Sequence, residues 1–389
     1  MKCEWKSILA KDFIEFNPKI TLKKGTITKK VAMDKVLPYK KYINEFEYAN
    51  YTGGSKFQDG DTIMARITPC LENGKTAFVD FLDENEVGFG STEFIVLRER
   101  KGISDAQYIY YLSISPQFRK IAISSMVGSS GRQRVQQSVL DELELFVPDI
   151  NEQRRIANIL NKIDEKIRIN NRINDNLEKQ VHALFRAWFV DFLPFDGQIP
   201  SNWRYVSFSD ILTPRVEKSS DPSLQMFSVT DTGIHPRNEK FKKKLSMSGT
   251  KSKIIYQDDL VFGMSREILN WGVMRWPVGG VSSAYNVFSV CKDINTYYLE
   301  TYMRSNIHYF KDLIRPASRE GQGIDKNALM HKEILMPPEN VLHSYYHHED
   351  TLTRLIHNNI DENTRLSIIR YTLLPKLMFG EIDVSDIQL

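Results

Sequence analysis

Residues 167–177 read IRINNRINDNL, and two of the asparagines stand where a helix seam should be apolar. Counting outward, Ile156, Leu160, Ile163, Ile167, Asn170, Asn174, Leu177, Val181, Leu184 and Trp188 follow one another at alternating steps of four and three. That spacing is a heptad seam and predicts a long helix that packs along one face. A buried Asn costs stability and in return fixes register or partner. The seam recurs: HNNIDENTRL from His357 carries Asn359 and Asn363, each 189 residues after Asn170 and Asn174. The same offset pairs Ile163 with Leu352, Ile167 with Ile356, Leu177 with Leu366, Leu184 with Leu373 and Trp188 with Leu377.

The duplication extends upstream. LFVP ending at Pro148 falls on ILMP ending at Pro337, GDTIMARITP from Gly60 resembles DDLVFGMSRE from Asp258, and STEFIVL from Ser91 resembles SSAYNVF from Ser282. WKSIL at Trp5 and WRYVSFSDIL at Trp203 open the two halves. The expected order is a body over 1–147, a long helix over 148–195, a second body over 196–337 and a second helix over 338–389. Short β-branched and aromatic runs such as EFIVLRE, mixed with amphipathic stretches such as AQYIYYLSISPQFRKIA, give each body an α+β class. If the helices run antiparallel, Asn170 faces Asn363 and Asn174 faces Asn359, since both pairs sum to 533. A parallel pairing matches nearly as many layers, but it forces the second body to carry the chain back along most of the helix's length. Connectivity therefore favours an antiparallel coiled coil with a pseudo-twofold internal repeat. The competing reading is that each seam packs on its own body.

The 389 residues exceed one ordinary domain, and 41% hydrophobic residues suffice for real cores. A formal charge of +3 permits an acidic partner without requiring one. Cys3, Cys70 and Cys291 lack CxxC spacing, which suggests neither disulfides nor zinc. MKCEWKSILAKDF interrupts its apolar residues with charge, and no apolar run is long enough to span a bilayer. The expectation is a cytoplasmic protein with no membrane partner and no cofactor.

PDINEQRRIANILNKIDEKIRINNRINDNLEKQVHALFRAWFVDFLPF resembles the first conserved spacer of specificity subunits of type I restriction-modification systems, and TLLPKLMFGEI resembles the end of the second. The resemblance rests on Pro148, Glu152 and Gln153, the paired asparagines, and the LF-x-x-WF-x-DF-x-P run from Leu184 to Pro194. The second spacer departs from it, reading ENVLHSYYHH in place of the Glu-Gln pair. The resemblance implies two target-recognition domains alternating with two spacer helices. It also implies a non-catalytic reader of double-stranded DNA that bridges two methyltransferase subunits and, in the larger complex, restriction subunits. Because the bodies diverge far more than the helices, the expected target is asymmetric and in two parts.

Phosphate neutralisation supplies affinity and base edges supply specificity. The lysine-rich stretches offer Lys23, Lys24, Lys29 and Lys30 in the first body and Lys242, Lys243 and Lys244 in the second for phosphates, the competing reading being a solvated face. For bases the candidates lie in GSSGRQR and its offset partner ASREGQG: Ser130, Arg132, Gln133, Arg134, Ser318, Arg319 and Gln322. Arg suits guanine and Gln adenine in the major groove, whereas the competing reading is a surface turn. Arg66 with Lys75, and Arg266 with Arg275, come second.

A self-contained methyltransferase would be expected to carry an (N/D)PP(Y/F) strip and a Gly-rich cofactor turn, and neither is present. For a nuclease, Asp83, Glu99 and Lys101 could be aligned, but no second copy supports them. HSYYHH from His343 invites a metal, with packing or solvent the plainer explanation. A coiled-coil scaffold binding proteins at both ends is the remaining alternative, distinguished by DNA binding that weakens steeply with salt.

Overall fold

The computed structural model describes residues 5–129, 131–237, 250–265, 267–314 and 323–385. The chain divides into two compact units, Met1–Asn174 with His357–Leu389, and Asp175–Ile356. Both mix strands with helices, and two helices of 40 residues each, Ile150–Phe189 and Glu339–Met378, run through the division. Among the described residues no helix is long and apolar enough to cross a membrane.

In the first unit an antiparallel sheet orders strands Ile14–Phe16, Phe94–Glu99, Thr62–Ala65 and Thr76–Phe78. The second unit repeats that order with Leu212–Pro214, Asn286–Val290, Leu260–Phe262 and Trp271–Val273. The duplicated GDTIMA and DDLVFG segments thus supply the same central strand. Asp61 and Asp259, one residue before that strand in each copy, are buried and held by forked guanidinium groups. Arg98 reaches Asp61 at 2.7 Å, and Arg215 reaches Asp259 at 2.8 and 3.0 Å. Arg98 lies in strand Phe94–Glu99 and Arg215 just beyond strand Leu212–Pro214, so the two copies reach the same satisfied buried charge from different places in the sheet.

Each body closes by pairing its first strand with the one before its long helix: Lys6–Leu9 with Glu144–Val147, and Arg204–Ser207 with Glu333–Met336. A further sheet in the first unit orders Glu47–Asn50, Ile27–Val31, Gly88–Gly90 and Ser55–Phe57. In the first unit Tyr108, Tyr111, Phe118, Ile156, Leu160, Leu374 and Leu377 share one core, so this body packs on both long helices. In the second unit Phe185, Phe189, Trp203, Tyr298 and Tyr345 do the corresponding work with rings, Phe189 lying 4.8 Å from Tyr345.

The first long helix begins where Asp149 accepts the backbone N–H groups of Asn151 and Glu152, at 2.8 and 3.0 Å, satisfying donors a helix start leaves bare. Glu152 and Gln153 are both buried. Gln153 ties the helix to its body, donating to the Pro148 and Ile103 carbonyls and accepting from Asp105 N–H at 3.0 Å. Two residues past the second helix lies Gly380, whose φ of +70° suits glycine and where a Cβ would lie 2.9 Å from the Trp5 ring.

Within the first unit the two helices run in opposite directions, because contacts fall on one as they rise on the other. Asp164 pairs with Arg370, Lys166 with Glu362 at 3.3 Å, Asn170 donates to Asn363 Oδ1 at 3.0 Å, and Asn359 donates to Asn174 Oδ1 at 2.8 Å. Asn170 also donates to Glu362 at 2.7 Å, and Asn363 to Asn171 at 2.9 Å. Both polar layers are therefore bonded, and Asn170 is fully buried.

Candidate nucleic-acid interface

The central strand Thr62–Ala65 delivers Arg66 to one end of the first body's sheet. There the Arg66 N–H donates to Glu93 O at 2.9 Å, while its carbonyl accepts from Val135 N–H at 2.9 Å. The segment around Arg134 is thereby laid beside the sheet end, bridging both Ile67 and Val127. Arg134 grips Glu93 through Nε and Nη2 at 2.6 to 3.1 Å, and this hydrogen bond holds the Glu93 carboxyl below the usual range. Arg66 adds to that field, and its own Nε is buried with no hydrogen-bond partner among the described residues. Gln133 N–H donates to Thr68 Oγ1, and Thr68 N–H to Gln133 O, both at 3.0 Å.

These bonds clamp Gln133 and Arg134, the residues that follow Arg132 in the turn. Arg132 N–H donates to Ser129 O at 2.9 Å, and Gly128 sits at φ +138° where a Cβ would meet Arg132 O at 2.9 Å. Arg132 is exposed and, among the described residues, forms no ion pair. Two arginines surround one carboxylate below it. The arrangement is a cationic surface suited to an anion or to paired acceptors.

The remaining candidates divide by what holds them. Lys23 and Lys24 are exposed on a turn closed by Gly25 N–H to Tyr51 O at 2.9 Å. Lys30 pairs across strands with Glu47 at 2.7 Å. Lys29 departs from the sequence expectation: 7% exposed, it donates to Phe81 O at 3.0 Å and Glu86 at 2.8 Å, so its charge is spent inside the body. Lys75 is likewise turned onto the Met33 carbonyl at 2.6 Å. Arg275 departs too, pairing with Asp258 at 3.2 Å and Glu300 at 2.7 Å and stacking 3.8 Å from the Tyr297 ring centre. Ser130, Lys242, Lys243, Lys244, Arg266, Ser318, Arg319 and Gln322 lie outside the described residues.

Sequence reading missed Glu93, the counter-charge that orients Arg134, because nothing in STEFIVL marks it as an anchor. It also missed Arg304, which stacks 4.8 Å from Trp271 and donates to Asp231 O at 3.2 Å.

Residues 3–179 match the family model described as Type I restriction modification DNA specificity domain. The chain is 26% identical over 315 residues to the type I restriction enzyme MjaIX specificity subunit of Methanocaldococcus jannaschii, spanning 72% of this chain and 70% of that protein. It is 34% identical over 139 residues to the HindI specificity subunit of Haemophilus influenzae, covering 35% of this chain and 29% of that one. Among solved structures, a chain from a study of type I R-M complex assembly and conformational transition superposes with a TM-score of 0.52 at 14% identity, over 98% of this chain and 100% of that one. The type I S subunit from M. genitalium gives 0.51 at 15%, over 96% of each. At those identities the superpositions speak to the fold.

Proposed function

We propose that this chain, which belongs to the family of type I restriction-modification specificity subunits, reads an asymmetric two-part DNA target with two unlike recognition domains, 1–147 and 196–337. It acts in a complex with DNA and other subunits of the system, and we assign it two methyltransferase subunits, with restriction subunits in the larger assembly. In this reading the chain selects the site and its partners perform the chemistry. The spacer regions, 148–195 and 338–389, form an antiparallel coiled coil that sets the separation of the half-sites.

The observation that carries this reading is the clamped Arg132 turn. Arg66 and Arg134 flank Glu93 beneath it, whereas the 189-residue offset places Gly321 and Gly323 opposite Arg132 and Arg134. The sequence repeat therefore offers a forked donor in one body and glycine in the other, and unlike chemistry at matching positions of the repeat reads unlike sequences. Arg132 and Gln133 are assigned to base edges, where a bidentate pair contributes about 1–3 kcal/mol of discrimination. Arg66 and Arg134 shape the turn. Lys23, Lys24 and Lys30 are assigned to phosphates.

With both domains facing one side of the duplex, half-site centres should lie roughly 34 Å apart, about one helical turn. The test is co-expression with cognate methyltransferase subunits, followed by sequencing of methylated sites. Arg132→Ala should relax one half-site and leave the other unchanged. Equal loss at both halves, or a contiguous palindromic target, would refute the assignment.

A further inference from the structure

Where the first body meets both long helices, within one compact unit, buried and half-buried polar groups form a connected network. Asp164 of the first helix is 4% exposed; it accepts from Tyr111 Oη at 2.8 Å and pairs with Arg370 of the second helix. Arg370 also donates from Nη2 to the Tyr39 carbonyl at 3.4 Å. Tyr39 is held at φ +58°, a left-handed conformation, and lies so close over Gly74 that a Cβ there would come within 2.6 Å of its ring. Lys41, 2% exposed, donates to Asn161 Oδ1 at 2.6 Å and to Tyr111 Oη at 3.0 Å.

This network has a direction. Tyr39, Lys41 and Tyr111 belong to the body, Asn161 and Asp164 to the first helix, and Arg370 to the second. Arg370 occupies a seam position where an apolar residue is expected, and burying a guanidinium is tolerated only when it is paired and hydrogen-bonded. Its planar fork fixes angle as well as distance, which an apolar contact does not. At the 189-residue offset the counterparts of Arg370 and Asp164 are Val181 and Thr353. The second body therefore carries no copy of this anchor, and its unit instead joins helices through Phe185, Trp188, Phe189 and Tyr345.

We propose that Arg370 is a positioning residue for sequence reading by the first body: a side chain from the far end of the chain sets the angle at which that body presents its Arg132 turn. The proposal rests on the DNA-reading function above. It is tested with the full chain assembled with its methyltransferase subunits, by mapping methylated sites for the wild type, Arg370→Leu, Arg370→Lys and Arg132→Ala.

Arg370→Leu should lower methylation about tenfold or more, as expected for a stranded buried partner. The sites that remain should degrade in the same half-site that Arg132→Ala degrades, with the other half intact. Arg370→Lys, which keeps a cation beside Asp164 but lacks the fork to Tyr39, should show the same one-sided loss in milder form. Should Arg370→Leu fail to fold, Arg370→Lys carries the test alone. Degradation of both halves together, or an unchanged target in Arg370→Lys, overturns the proposal. A wild-type complex whose methylation shows no sequence preference overturns the DNA-reading function itself.

Discussion

Lys41 shows how a single side chain couples the first unit to pH. Burial pushes its ammonium down to about 8 from the ordinary 10.5, against the opposing pull of Asp164, Glu165 and Asp80, with Arg370 lowering it further. A base whose folded pKa lies below its unfolded one sheds its proton on folding between the two values, so this contribution to stability grows as pH rises from about 8 towards 10.5. Tyr42, Tyr110 and Tyr111 act the other way, because burial raises all three phenols and their contribution is lost as pH climbs past their ordinary 10.0. The expected profile rises between pH 8 and 10 and falls beyond. The Lys41 part should be on the order of 2 kcal/mol. Urea denaturation across pH should show this rise in the wild type and not in Lys41→Met; an identical slope in both would exclude Lys41 as its source. At this scale sequence was a partial guide. The exposed Arg132 was readable from its glycine-rich turn, but Lys29 and Arg275 were not separable from free cations, since their partners Glu86 and Glu300 are brought to them only by folding.

Among the elements, the long helices were the most legible, because a seam of alternating three and four steps is a local property of the chain. The numbers of the asparagines even sufficed to write down which residues would face each other. What periodicity could not supply was the use made of an apparent misfit. Arg370, opposite Ile163 by the same counting, instead reaches one residue further to Asp164. The asparagine layers give the direct test. Asn170→Leu removes the donor that Asn363 Oδ1 now accepts, and should cost about 1 kcal/mol. Asn170→Leu combined with Asn363→Leu should recover most of that, since removing both partners of a buried bond is nearly neutral. Thermal melts of the two variants decide it: a single variant more stable than wild type would mean that the bonds of this layer do not add to stability. The bodies were less legible than the helices. Their strands are three to six residues long in the two principal sheets, and their order depends on pairings between segments far apart in sequence.

For the molecule as a whole, the division into units does not follow the order of the chain. Residues 175–356 form one unit without interruption, whereas the first needs residues 1–174 and then 357–389. Leu374, Leu377 and Met378 complete the core built by Tyr108, Ile156 and Leu160. A chain stopped after Ile356 should therefore keep residues 175–356 resistant to limited proteolysis while its first body is cut rapidly. Equal resistance of both halves would show that the returning helix is dispensable there. It follows that a ribosome making this protein finishes the unit of residues 175–356 before the unit that holds its first residues. The first body waits, its greasy flank uncovered, until residues 357–389 emerge, so a product lacking them would hold one sound unit rather than two weakened ones.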